Sequence, residues 1–201
     1  VMAGHPCTTG LNEIDYFISS ELMEPNFAQL NYSEQLIQFQ KMPTSMKYIK
    51  PPLTSAPCLK SADNNILIGI VHSLFKLTPD FDETLVEILK IDSTIELIFF
   101  ESPSNLAQKI KDRWLRGPKI ILDRSKFIPR LDYEEYLKVI DQLDLVLDPF
   151  AFGAGTVFYQ CMTCGVPVIT KPTNLLKTRI ALGGYNQMQI SQPPIARSKN
   201  E

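Results

Sequence analysis

Histidine is almost missing from this chain, with His5 and His72 the only two in 201 residues. They stand far apart without partnered ligand spacing, and no Asp-x-Asp pair falls near a strand end. Asp144 and Asp148 are four apart, and Asp148 is followed by Pro149. A bound divalent metal is therefore not expected. Cysteine is scarce as well: Cys7, Cys58, Cys161 and Cys164 are too few and too scattered for a disulfide scaffold. Cys161-x-x-Cys164 has the spacing of a redox pair, but such pairs gain acidity at the start of a helix. This one sits at the end of a predicted helix, just before Gly165, so core packing is expected instead. The formal net charge of −2 supplies no basic field, which argues against nucleic acid as a partner. No apolar run approaches the roughly 20 residues needed to span a bilayer. The opening VMAGHP has neither the charged nor the apolar region of a signal peptide. These absences lead to the expectation of a cytoplasmic protein that makes no use of a membrane. There is no internal repeat and no low-complexity segment.

The remaining composition is ordinary for a globular protein, 44% hydrophobic and 21% charged. The length allows one core, or one domain with part of another. Lys50 to Pro57 is proline-rich and polar, the signature of a linker or interdomain strap. Before it, Asp15 to Ser19 reads as a short strand, followed by a Tyr/Ser/Glu-bearing stretch that fits either a helix or a loop. Beyond it strands and helices alternate. Asn65 to Val71 is a continuous apolar run suited to a strand covered on both faces. Thr78 starts a helix with acidic first-turn residues. Ile95 to Phe100 is a strand, Ser104 to Leu115 a helix, Lys119 to Leu122 a strand, Asp132 to Gln142 a helix, and a last helix starts near Asn174. The pattern predicts an α/β fold, a Rossmann-like parallel sheet with right-handed crossovers. It divides the chain into residues 1–60 and a Rossmann-like domain over 61–201.

The most informative stretch runs from Leu143 to Thr170. It reads as a buried strand (Leu143 to Leu147), a glycine-bearing loop (Gly153 to Thr156), a helix to about Cys164, a stop at Gly165 and a strand from Val166 to Thr170. A strand feeding such a loop into a helix N-terminus presents free backbone N–H groups at a positive dipole end. Thr156 is expected to cap that helix and offer its hydroxyl to a phosphate. Gln160, one turn later, shares its face. Lys76 follows the first strand of the domain by a short turn, so its ammonium should project over the strand ends. Together these features suggest a nucleotide diphosphate bound at the carboxyl ends of a parallel sheet.

The same residues carry a family resemblance. Asp144-x-x-Leu147-Asp-Pro-Phe, Gly153-x-Gly155-Thr156 and Gly165-Val-Pro-Val-Ile-Thr170 resemble the C-terminal catalytic half of the O-GlcNAc transferase/SPINDLY-like glycosyltransferases. Val71-His-Ser-Leu-Phe-Lys76 is similar to that family's lysine-bearing first turn of the donor half. Gly4-His-Pro-Cys-Thr-Thr-Gly10 with Tyr32-Ser-Glu34 resembles the segment before the two halves join. The three regions keep the family's order from Val1 to about Arg179.

The resemblance implies the C-terminal half of a GT-B glycosyltransferase, plus the end of its N-terminal half. The implied chemistry is inverting and metal-independent: transfer of N-acetylglucosamine, or a hexose, from a UDP-sugar to a protein Ser or Thr. It makes Lys76 the candidate catalytic cation on the leaving diphosphate. His5, Pro6 and Thr8 would line the donor cleft from the other half. Ser73 would reach the diphosphate region, Arg130 would face the base, and Tyr136 would stack on it. Gly155, Thr156 and Gln160 would hold phosphates and ribose. Two departures stand out: Val157 where the family has a second threonine, and Gln160 where it has an acid. They leave open a non-catalytic nucleotide-sugar-binding module as the alternative. A flavodoxin-like regulatory domain fits less well, because His72-Ser73 stand where it would need acidic residues. The family normally has more chain on both sides, including upstream tetratricopeptide repeats. This chain is therefore expected to be a fragment that lacks its general base.

Overall fold

A computed structural model describes residues 6–46, 59, 65–101 and 105–198. His5, Cys58 and the proline-rich stretch 50–57 lie outside the described residues.

The apolar run after residue 65 forms β3 (Ile66–Ile70), the centre of a parallel sheet. It follows β1 (Tyr16–Ser20) and β2 (Gln35–Phe39), which pair in parallel with each other. After β3 come α1 (Pro79–Ile91), β4 (Ile95–Phe100), α2 (Leu106–Arg116), α3 (Lys119–Asp123), β5 (Ser125–Ile128) and α4 (Tyr133–Ile140). They are followed by β6 (Leu145–Leu147), α5 (Thr156–Cys164), β7 (Val168–Ile169) and α6 (Ile180–Met188). The five-stranded sheet has the order β5-β4-β3-β6-β7, all parallel. The chain lays strands outward from β3 to β5, then returns to the other side of β3 for β6 and β7. The strand order therefore reverses between β3 and β6, where open α/β sheets form a crevice at their carboxyl ends.

Apolar side chains cover both sheet faces, as a parallel sheet requires. On one face Leu85, Leu89, Ile110 and Trp114 pack on Leu97 and Phe99, with Trp114 fully buried. On the other, Val139, Ile140, Phe158, Cys161 and Tyr185 pack on Leu67, Val146 and Val168. Gly165 ends α5 at φ 73°, a backbone conformation that a side chain would strain. The β1–β2 pair rests on the segment leading into α6. Phe17, Met23, Tyr32 and Leu176 form a small core, and the Arg179 guanidinium donates to the Met23 carbonyl. No helix among the described residues is long and apolar enough to cross a membrane.

Three expectations are corrected. Lys119 to Leu122 is not a strand but most of α3. A four-residue apolar run fits either element by pattern alone, and here Gly117-Pro118 starts a helical turn, with Ile121 N–H donating to the Pro118 carbonyl at 3.0 Å. The third strand of the domain follows at Ser125–Ile128, where Phe127 stacks on Phe99 at 5.1 Å. The ambiguous stretch near Tyr32 contains β2, whose register on β1 runs from Tyr16↔Gln35 to Ser20↔Phe39. The last helix starts at Ile180, after a 3-10 turn at Leu176–Thr178, rather than near Asn174.

Candidate functional site

Two strand ends meet at the reversal of strand order. β3 runs out at Ile70 into buried Val71 and His72, then exposed Ser73, and a 3-10 turn (Leu74–Lys76) brings Lys76 round. β6 runs out into buried Asp148 and Pro149, and the chain then loops through Phe152 and Gly153 into α5. The two loops are tied together. The Lys76 ammonium donates to the Gly153 carbonyl at 2.8 Å and lies 4.0 Å from the centre of the Phe152 ring. Burial lowers the pKa of Lys76, and the nearby Asp148 charge opposes that shift. The other side of Gly153 is fixed too, since its N–H donates to the Lys177 carbonyl at 2.9 Å. Gly153 itself presses on Asp148: a Cβ there would lie 2.7 Å from Asp148 Oδ2.

Thr156 does not cap α5. Gly155 occupies the N-cap position without a side-chain hydrogen bond, and Thr156 is the first helical residue, its side chain exposed. A capping hydroxyl must stand before the first turn, and the glycine has taken that place. Phe158 N–H turns back to the Gly155 carbonyl at 3.1 Å. The helix start has no side-chain cap and no acidic residue in its first turn, so the positive dipole end is not answered by a carboxylate of its own.

Farther along α5, half-buried Gln160 meets half-buried Tyr136 of α4. The Tyr136 hydroxyl donates to Gln160 Oε1 at 3.3 Å, long for an O–H donor. The Tyr136 ring packs on Phe100 at 4.9 Å, and burial raises its hydroxyl pKa. Arg130 is exposed in the turn before α4.

The N-terminal candidates divide. His5 lies outside the described residues, while Pro6 is buried. Thr8 is committed elsewhere: its hydroxyl donates to Glu34 Oε2 at 2.7 Å and lies 2.9 Å from Ser33 Oγ. Glu34 is 2% exposed. The Thr8 hydroxyl, then that of Thr9, holds its carboxylate well below the usual range. Among the described residues these contacts make Thr8 a brace of its own loop.

Cys161 and Cys164 behave as packing residues. Burial raises the Cys161 thiol to about 12 and the Cys164 thiol to about 11, the reverse of a redox pair. Among the described residues no group of three His, Cys, Asp or Glu is placed to hold a metal.

Sequence reasoning missed the floor of the site. His72 Nε2 lies 3.3 Å from Asp148 Oδ1, both side chains buried, and Thr170 Oγ1 donates to Asp148 Oδ2 at 2.7 Å. The available signal was positional: His72 and Asp148 each follow a strand, and those strands are neighbours in the sheet.

The chain is similar to known glycosyltransferases. It is 24% identical, over its whole length, to a UDP-glucose:protein N-beta-glucosyltransferase of Actinobacillus pleuropneumoniae, covering 32% of that protein. It is 26% identical over 83% of its length to the probable UDP-N-acetylglucosamine–peptide N-acetylglucosaminyltransferase SPINDLY of Solanum lycopersicum, covering 18% of it. Among solved structures, an O-GlcNAc transferase mutant of Thermobaculum terrenum superposes with a TM-score of 0.79 at 19% identity. That match covers 96% of this chain and 37% of the other. No protein-family model matches. The fold is that of a GT-B glycosyltransferase, and the resemblance to the O-GlcNAc transferase/SPINDLY-like proteins is borne out. The chain spans a third or less of the length of these two curated relatives.

Proposed function

We propose that this chain is the donor-binding region of an inverting, metal-independent glycosyltransferase that moves a sugar from UDP to a protein side chain. The full enzyme transfers N-acetylglucosamine or a hexose to Ser or Thr. The single observation that carries this reading is the Lys76 ammonium tied at 2.8 Å to the loop that opens into the uncapped start of α5, at the reversal of strand order. As the bond from the sugar's anomeric carbon to the diphosphate oxygen breaks, its electron pair leaves with UDP. A lysine and a helix N-terminus directed at one point stabilise that developing charge without a metal. The acceptor oxygen attacks from the opposite face and loses its proton to a base that the described residues do not identify.

In this reading Lys76, Gly155 and Thr156 take the diphosphate, with Ser73 beside them. Gln160 takes the ribose and Tyr136 the base, with Arg130 at the rim and His5 and Pro6 across the cleft. Thr8 acts only through the loop it braces. The division at residue 60 separates the end of an acceptor-side half from the donor domain. Upstream tetratricopeptide repeats, a protein acceptor and a cytoplasmic setting complete the proposal. By itself the chain binds donor without transferring sugar. A second reading, a nucleotide-sugar-binding module without activity, is favoured by Val157 and by Gln160, whose Oε1 already accepts from Tyr136.

Calorimetric titration of UDP into the chain, with and without EDTA and with ADP as control, tests the proposal. Saturable binding that prefers UDP and ignores EDTA is expected. Equal binding of ADP, or binding lost with EDTA, overturns it. Sugar transfer by the full-length protein separates the two readings.

A further inference from the structure

The floor beneath the 153–156 loop holds polar groups to which the donor-site reading gives no role. Asp148 is 4% exposed and His72 is 2% exposed, at the carboxyl ends of adjoining strands. Asp148 Oδ2 is satisfied by Thr170 Oγ1 at 2.7 Å. Oδ1 is 3.3 Å from His72 Nε2, yet neither Oδ1 nor either imidazole nitrogen makes a hydrogen bond among the described residues. Burying a carboxylate with one oxygen left unbonded is costly unless its charge is paired. What sits on it is the phosphate loop: Gly153 is in direct contact, a Cβ there would come 2.7 Å from Oδ2, and its carbonyl holds Lys76.

We propose that Asp148, with His72 and Thr170 as its partners, is the positioning residue of the donor site, setting the height of the 153–156 loop and the place of the Lys76 ammonium so that both meet one diphosphate. The proposal rests on the donor-site reading and deepens it. Asp148 does not touch the ligand; it acts through Gly153 by contact and through Lys76 by charge. The contact requires glycine, because any side chain at residue 153 would push the loop off its seat. The charge offsets part of the desolvation of an ammonium that the Gly153 carbonyl and the Phe152 ring also hold.

The test uses the whole 201-residue chain. Asp148→Asn keeps an oxygen for Thr170 and removes the charge. The Lys76 side chain is titrated by carbon NMR, its signal identified by its loss in Lys76→Met, and UDP affinity is measured by calorimetry. In Asp148→Asn the Lys76 pKa should fall and UDP affinity should drop about tenfold, as the loop and the ammonium lose their shared placement. An unchanged Lys76 titration overturns the proposal, whatever happens to UDP. Should Asp148→Asn fail to fold, Thr170→Val should weaken UDP binding and Thr170→Ser should restore it; a Thr170→Val chain that binds like the parent overturns the positioning role. If the parent binds no UDP while Lys76 still responds to Asp148→Asn, the donor-site reading fails and the diphosphate part of this proposal fails with it.

Discussion

α4 and α5 pack side by side but begin in opposite ways. α4 closes its own end: Asp132 accepts from Glu135 N–H at 2.8 Å, and Glu135 reaches back to Asp132 N–H at 3.3 Å. Both acids also face the positive end of the helix dipole. α5 starts on Gly155 with neither a capping side chain nor an acid. A helix that only has to fold satisfies its first turn from its own sequence, while one left open keeps its N–H groups for something else. An open start is not sufficient, because α2 and α6 also begin without a side-chain cap. What distinguishes α5 is that the cation on the loop in front of it comes from a neighbouring strand end at the reversal of strand order, whereas the cation before α6, Arg179, is that helix's own N-cap residue.

The largest expected effect falls on that cation. Lys76→Ala should weaken UDP binding by about 1.5–3 kcal/mol, the range for a hydrogen bond to a charged group. Calorimetry that finds parental affinity would remove the phosphate assignment. Next in size, Asp132→Ala opens the closed helix and should cost about 1 kcal/mol of stability. Thermal unfolding should register that loss while UDP affinity stays put; a parallel loss of affinity would mean the two helix ends are not separate in function. Thr156→Asp reverses the experiment by giving α5 an acid in its first turn. Stability should rise by about 0.3–1 kcal/mol while UDP binding weakens by repulsion. Tighter UDP binding would show that the open end is not where the diphosphate goes. The smallest effect belongs to Tyr136→Phe, which removes only the long bond to Gln160. A change of about 0.5 kcal/mol is expected in UDP affinity, with Tyr136→Ala clearly worse; equal losses in the two variants would exclude a stacking role for the ring.

The order of strands and helices from residue 65 onward was legible because fully buried parallel strands write continuous apolar runs. Ile95 to Phe100 is a strand with the expected limits. Lys119 to Leu122 misleads for the same reason, since a short apolar run also suits a helical turn that buries one residue, here Ile121. β2 escaped notice because its side chains are half-buried or exposed and write no apolar signal. In the candidate site, the Lys76 turn and the loop into α5 could be read from local order, strand then loop then helix. Threonine caps well, which points to Thr156 as the cap; nothing local says that Gly155 takes the position. The His72–Asp148–Thr170 floor depends on which strands lie side by side, a long-range fact that no local pattern carries.

The hold of Lys76 on the Gly153 carbonyl and the Phe152 ring changes what an arriving anion has to do. It does not capture a freely hydrated ammonium; it takes over a partner already engaged, trading a neutral carbonyl for an anionic oxygen. Part of the gain is spent on that exchange, but the lysine's rotamer freedom has already been surrendered on folding, which lowers the entropic cost of association. Because the ammonium is half-buried, mobile counter-ions screen it less than they would a surface lysine. Recognition at this end of the site is therefore a substitution reaction between preset contacts, with a shallower ionic-strength dependence than a solvated basic patch would show.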